Sequence, residues 1–390
     1  MNGFGKKIKK PKTPANRDVE ASRKTERQAC QYHAQGKVAE AERLYLELIK
    51  NGTSSKKVLI SAAEISLGKG EVNRAISFYD EAIRLNGPCP VTFNNLGRAY
   101  ALKEEYHKAL EYTLRSISLR PENPSALINL GGIYIKTNRP VAALEATLKS
   151  LRLNPNESTA LMNLGIIYNS LGKPRDALVA TYKSLEIDKN NPHAFLSLGA
   201  TYHHLGDNEK ALILLKQSVK MLPGNAQALT TLGSIYKSLG NLDEALSTLH
   251  AAIRIEESNS TALMDIAKVY TLLEDPEQAL SFMLRAVQSD PSNADVHLRL
   301  GSIYKVLEQY DKARESFQQS IRIQPENLGS LVNLITMSEP GEIPSLKRLA
   351  EKILRLNHSI INDCHFLGAV ASLGEEFLED ILQLSKHLDP

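Results

Sequence analysis

The stretch Asn95-Leu96-Gly97-Arg98-Ala99-Tyr100 returns as Asn129-Leu130-Gly131-Gly132-Ile133-Tyr134 and as Asn163-Leu164-Gly165-Ile166-Ile167-Tyr168. Looser copies follow: Leu198-Gly199 with Tyr202, Leu232-Gly233 with Tyr236, Ile266-Ala267 with Tyr270, and Leu300-Gly301 with Tyr304. The small residue stands at 97, 131, 165, 199, 233, 267 and 301, and every step is 34 residues. A fixed period of this length constrains the fold more than any local motif. One supersecondary unit must be stacked on copies of itself, each burying its apolar face against its neighbours.

Each unit reads as two helices. The first, helix A, carries apolar residues at helical spacing, as in Leu127, Leu130 and Tyr134. Gly36, Gly70, Gly172, Gly206 and Gly240 share one register position after it, and Asn138 takes that position in another unit. Both residue types tolerate the left-handed backbone that ends a helix. Helix B follows, with alanine at 41, 75, 109, 143, 177, 211, 245, 279 and 313. A larger side chain there would overpack two closely approaching backbones. Asn123, Asn191, Asn225, Asn259, Asn293 and Asn327 stand where the next helix starts, and their side-chain oxygens can accept from its orphan N–H groups. Pro124 and Pro192 then occupy a first helical position, which needs no N–H.

This register resembles the tetratricopeptide repeat family. It covers nine units of 34 residues, 22–55, 56–89, 90–123, 124–157, 158–191, 192–225, 226–259, 260–293 and 294–327, which is 306 of the 390 residues. The resemblance implies an all-α, right-handed superhelical solenoid of about nine helix-turn-helix repeats. The family's early tryptophan is replaced by Phe93, Leu127, Leu161, Phe195, Leu229 and Leu263. Tyr100 to Tyr304 are expected to fill space between helices. Residues 1–21 read as a disordered basic tail, since Lys6, Lys7, Lys9, Lys10 and Lys12 lie among Gly and Pro with little apolar surface to bury. Beyond 327, Asn333-Leu334 begins a tenth helix A that Pro340, Gly341 and Pro344 should break. Ser345 to Leu356, with Leu346, Leu349, Ile353 and Leu356 on one face, reads as a helix. His365 to Leu373 and Phe377 to His387 read as a helical pair joined near Gly374. Residues 328–390 are thus expected to be a degenerate repeat and a helical cap, which a solenoid end needs.

Several functions are excluded on the sequence alone. No apolar run approaches the roughly 20 residues of a membrane span. The basic start has no apolar stretch behind it and is not a secretory signal. Cys30, Cys89 and Cys364 are odd in number and lack metal-ligand spacing, which suits a reducing, cytoplasmic setting. A net charge of +3 does not imply a specific nucleic acid. There is no Gly-rich phosphate loop and no nucleophile elbow. His193, His203 and His204 do not converge, because adjacent helical residues point about 100° apart. No enzyme activity, cofactor or metal is expected.

What remains is a binding role on the inner wall lined by helix A. Asn95, Asn129 and Asn163 share one position there, continued by Ser197, Thr231, Asp265, Arg299 and Asn333. An amide both donates and accepts, so a ladder of them could hold an extended peptide backbone. The same amides could instead bond to neighbouring helices. The first three rungs resemble the asparagine ladder of the O-linked N-acetylglucosamine transferases. Chaperone-binding members of the repeat family use a two-carboxylate clamp of lysine, asparagine and arginine, whose lysine-then-asparagine pair on the first clamp helix is not found here. Arg98, Asn169, His203, Lys237, Lys268, Arg299 and Lys305 complete the candidate groove, and its later part is basic enough to favour an acidic peptide. The expected role is a non-catalytic scaffold whose groove takes a protein or extended peptide, with oligomerisation through the solenoid ends also open. The alternative is a substrate-recruiting portion of a sulfotransferase or glycosyltransferase system. Gly3-Phe4-Gly5-Lys6-Lys7 ahead of such repeats is similar to multi-repeat cyanobacterial proteins, some of which continue into a sulfotransferase domain.

Overall fold

The computed structural model describes residues 14–337, 347–348, 350–351, 354–355, 364–372 and 374–388. Among them every regular element is a helix. The chain divides into two compact units, Met1–Ser197 and Leu198–Pro390.

The first unit holds the hairpins α1 (Pro14–Ala34) with α2 (Val38–Lys50), α3 (Lys56–Gly68) with α4 (Val72–Asn86), α5 (Pro90–Leu102) with α6 (Tyr106–Leu119), α7 (Pro124–Lys136) with α8 (Pro140–Leu153), and α9 (Ser158–Ser170) with α10 (Pro174–Ile187). The division falls within α11 (Pro192–His204). The second unit continues with α12 (Asn208–Met221), α13 (Ala226–Ser238) with α14 (Leu242–Ile255), α15 (Ser260–Leu272) with α16 (Pro276–Ser289), α17 (Ala294–Val306) with α18 (Tyr310–Ile323), α19 (Leu328–Thr336), α20 (Cys364–Ser372) and α21 (Glu375–Leu388). In the first unit α1, α3, α5, α7 and α9 each pack on the helix that follows, and in the second α13, α15 and α17 do the same. Odd-numbered helices also touch one another: α5 meets α7, α7 meets α9, and α13 meets α15.

The expected local signals set these elements. Asn123 accepts from Ala126 N at 3.4 Å, Asn225 from Ala228 N at 3.1 Å, Asn259 from Ala262 N at 3.0 Å, and Asn327 from Ser330 N at 3.0 Å. The left-handed turn falls on Gly70 (φ 78°) and, as the register requires, on Asn138 (φ 53°). Glu104, Glu274 and Glu308 take the same conformation at the same register position, with φ of 57–61°. Nothing in a glutamate announces that backbone; the period alone marks the site. The helix B alanines from Ala41 to Ala313 are all fully buried.

The reason for the small residue on helix A is the side chain 16 positions later. A Cβ added to Gly97, Gly131 or Gly165 would lie 2.2, 2.6 or 2.0 Å from the Oγ1 of Thr113, Thr147 or Thr181. In the second unit the occupants are larger: Leu249 faces Gly233 and Phe317 faces Gly301. A second fixed contact pins the two helices of a repeat. Ser116, Ser150 and Ser184 donate to the carbonyls of Pro90, Pro124 and Ser158, and Ser320 does the same to Ala294, at 2.7–3.2 Å. These hydroxyls are fully buried, so the bond satisfies a group that water cannot reach.

Two expectations change. The helix α1 begins at Pro14, well inside the stretch read as a disordered tail to residue 21. Pro14 suits a first helical position, and Ala15, Glu20, Ala21 and Arg23 are good helix formers. The lysines at 6–12 lie outside the described residues. The helix A tyrosines fill the core only in part. Tyr100 is 9% exposed, but Tyr134, Tyr168, Tyr236 and Tyr304 are half-buried. Lysine ammoniums cover several of these rings, Lys108 over Tyr100 at 5.1 Å and Lys312 over Tyr304 at 5.5 Å. At the other end, α19 is a short tenth helix A. The breakers Pro340, Gly341 and Pro344 lie outside the described residues, as do Leu346, Leu349, Ile353 and Leu356. Phe366, Ala369, Val370, Phe377 and Ile381 pack with Phe317, Leu331, Leu334 and Ile335, so α20 and α21 close the second unit's core with a helical cap.

Candidate functional site

In the first unit, two of the asparagine rungs bond to neighbouring helices. Asn95 Nδ2 donates to Glu64 Oε1 of α3 at 3.3 Å, and Asn129 Nδ2 to Asn94 Oδ1 of α5 at 2.8 Å. Asn163 is buried, 7% exposed. Arg98 is exposed on α5, and Asn169 is half-buried on α9. Asn95 and Asn129 therefore each direct one amide hydrogen to the preceding A helix.

The second unit gathers four of the candidates. His203 is apart from them and pairs through Nδ1 with Asn208 Oδ1 at 2.7 Å. Lys237 of α13, Lys268 of α15 and Arg299 of α17 line one open cleft of about 680 Å³, together with Gly329 and Asn333 of α19. Lys305 reaches the Oδ1 of Asn333 at 3.1 Å. The cleft's other walls are largely apolar: Leu272, Met283, Leu298, Ile303 and Val306, with Ser238, Thr271 and Ser302 between them. Leu272 and Val306 are 60% and 65% exposed. Both lie at one register position, where Leu102 and then Lys136, Ser170, His204 and Ser238 stand in the preceding repeats. Two apolar residues in succession at this position, after four polar ones, were a signal that the search for charged residues passed over.

Beneath the cations lies a buried carboxylate. Asp265 is 4% exposed. Its Oδ1 receives the ammoniums of Lys237 at 2.5 Å and Lys268 at 3.1 Å, and Ser234 donates to its Oδ2. Burial alone would raise its pKa. The two ammoniums and the hydrogen bonds outweigh this and hold Asp265 below the usual carboxylate range. Burial likewise holds Lys237 below the usual lysine range, with Asp265 opposing part of the shift. Arg299 is bound along its own helix to Asp295, Nε to Oδ2 at 2.8 Å. Asp265 falls in the column of the asparagine rungs, but its sequence position alone does not reveal that two lysines meet on it.

The repeated hairpin, the glycine–side-chain interlock and the capped turns agree with comparison to known sequences. Tetratricopeptide repeat profiles match residues 27–88, 94–158, 181–213, 206–263, 260–293 and 294–327. The chain belongs to the tetratricopeptide repeat family. No curated protein sequence matches this tetratricopeptide repeat chain. Among solved structures it is similar to the human IFIT1 dimer with m7Gppp-AAAA, at 17% identity and a TM-score of 0.62 over 93% of this chain and 88% of that one. The human IFIT1 dimer with PPP-AAAA gives 18% and 0.61, over 92% and 87%. A tetratricopeptide repeat protein from Parabacteroides merdae gives 15% and 0.52, over 65% and 99%. At such identities the likeness carries the fold alone. Among the described residues there is no group of three or more His, Cys, Asp or Glu able to hold a metal ion, and no helix long and apolar enough to cross a membrane.

Proposed function

We propose that this tetratricopeptide repeat chain is a non-catalytic scaffold that binds a peptide or protein partner, with the cleft of α13, α15, α17 and α19 as the principal contact. One observation supports the choice: consecutive A helices bring Lys237, Lys268 and Arg299 to the edge of a cleft whose walls are mainly apolar. A cavity of a few hundred cubic ångströms with apolar walls and a few placed polar groups is the usual form of a ligand site. Because the wall is built from packed helices, little ordering cost falls on the protein when it binds. The last three repeats of the nine-unit division of 22–327, with α19 beyond them, present the cleft, and a reducing, cytoplasmic setting suits Cys30 and Cys89, which are free thiols. In the first unit, Asn95, Asn129 and Asn163 serve chiefly to join helices, with Arg98 the exposed polar group beside them.

The test is a peptide array bearing leucine and glutamate at varied spacing, screened against wild type and Val306→Asp. Binding that Val306→Asp abolishes, with helicity unchanged, supports the cleft. Equal binding by both proteins would place the contact elsewhere.

A further inference from the structure

The chemistry of the cleft is set by a residue that a ligand cannot touch. Three cations line it: Lys237, Lys268 and Arg299. Two of their charges are matched from within the protein. Asp265, buried below, takes one against Lys237 and Lys268 together, and Asp295 takes the other against Arg299. One positive charge is left unmatched on the lining, with Lys305 beside Asn333 adding a second at the α19 end. Leu272, Leu298, Ile303 and Val306 line the same cleft as these charges, so charge and apolar surface must be satisfied by the same ligand.

We infer that Asp265 is a specificity-determining positioning residue, which fits the cleft to a peptide carrying one or two carboxylates beside apolar side chains and makes it a poor site for a polyphosphate. This rests on reading the cleft as a peptide site. Two features give Asp265 that role. Its side chain is 5% exposed against 17% for Lys237 and 30% for Lys268, so the carboxylate holds the ammoniums without competing for the cleft's space. Its Oδ1 is shared, so neither lysine is free to swing outward and meet a multiply charged ligand alone. A carboxylate side chain can take the unmatched charge with a charge-assisted hydrogen bond, and its neighbours can cover Leu272 and Val306. A triphosphate brings several charges to a site with one or two to offer, and it leaves the apolar wall uncovered.

The experiment measures two probes, inorganic tripolyphosphate and the tightest leucine–glutamate peptide from the array, on wild type, Asp265→Asn and Asp265→Glu. Removing the buried charge is expected to strengthen tripolyphosphate binding about tenfold and to steepen its salt dependence. Asp265→Glu keeps the charge and is expected to stay near wild type in both. A merely structural role for Asp265 would weaken both probes together and would not move their ratio. Tripolyphosphate affinity of Asp265→Asn within about twofold of wild type, with helicity intact, overturns the inference. If Asp265→Asn does not fold, Asp265→Ser, which leaves room for water beside the ammoniums, carries the same expectation. If no peptide binds wild type while Asp265→Asn still gains tripolyphosphate, the peptide reading fails and the charge role of Asp265 stands.

Discussion

The adjacent glycines Gly131 and Gly132 offer a sharp test of why this repeat has its motif. Both are interior to α7, so alanine at either gains about 1 kcal/mol of helix propensity. Their surroundings differ. A Cβ on Gly132 meets nothing within 4 Å. A Cβ on Gly131 would sit 2.6 Å from Thr147 Oγ1, 3.7 Å from the Ala143 carbonyl and 3.8 Å from Thr147 Cβ, and Thr147 is fully buried. Overpacking of that kind costs about 1–3 kcal/mol. Gly132→Ala should therefore stabilise by about 1 kcal/mol, and Gly131→Ala should end from neutral to about 2 kcal/mol destabilised. Thr147→Ala in the Gly131→Ala background should recover part of the loss. Urea unfolding followed by circular dichroism gives the order, and amide exchange in α7 and α8 localises it, since repeat arrays do not always unfold as one unit. Equal stabilisation by both alanines would refute the interlock, as would failure of Thr147→Ala to couple with Gly131→Ala.

Three further outcomes are expected. Asn259→Ala, which removes the oxygen that caps Ala262 N, should cost about 1 kcal/mol in thermal or urea unfolding, and Asn259→Gly much less. Because Asp265 is held below its ordinary range in the fold, its stabilisation is present above the unfolded carboxylate value of about 4 and is lost as pH falls through the lower folded value. The gap in melting temperature between wild type and Asp265→Asn should therefore narrow from pH 7 toward pH 3; a gap independent of pH would remove the ion pairs from the account. Burial raises the Cys89 thiol, but Lys56 and the Val91 and Thr92 amides at the start of α5 bring it down to about 7. Cys89 should alkylate with a midpoint near pH 7, shifted upward in Lys56→Gln; the same midpoint in both would reject the Lys56 contact.

Much of the fold was legible because the period repeats the same solutions. Alanine on helix B, asparagine at the next helix start and glycine or asparagine at the turn each carry a local physical reason, and nine copies place them in one register. At Glu104, Glu274 and Glu308 only the register marked the left-handed turn, since the residue type does not announce it and the helices on either side impose it. The interlock was half legible: the glycine is visible, but its partner 16 residues on changes from threonine to leucine to phenylalanine. For the site, Lys237, Lys268, Arg299 and Lys305 were readable as a basic run of one wall. The i,i+3 pair of Asp265 and Lys268 was within reach of spacing, but that Lys237 joins it on Asp265 was not, because that depends on the contact of α13 with α15. The asparagine rungs show the reverse case. Their common position was plain, yet a position on helix A says nothing of which neighbour takes the amide hydrogens.

The central claim is that the cleft of α13, α15, α17 and α19 is where a partner binds. Fluorescence anisotropy of the selected leucine–glutamate peptide against wild type, Lys268→Glu, Arg299→Glu and the first-unit variant Asn129→Ala measures it directly. The account expects each charge reversal to weaken binding tenfold or more, on the order of 1.4 kcal/mol, with Asn129→Ala unchanged. Binding that survives both reversals and falls in Asn129→Ala would contradict it.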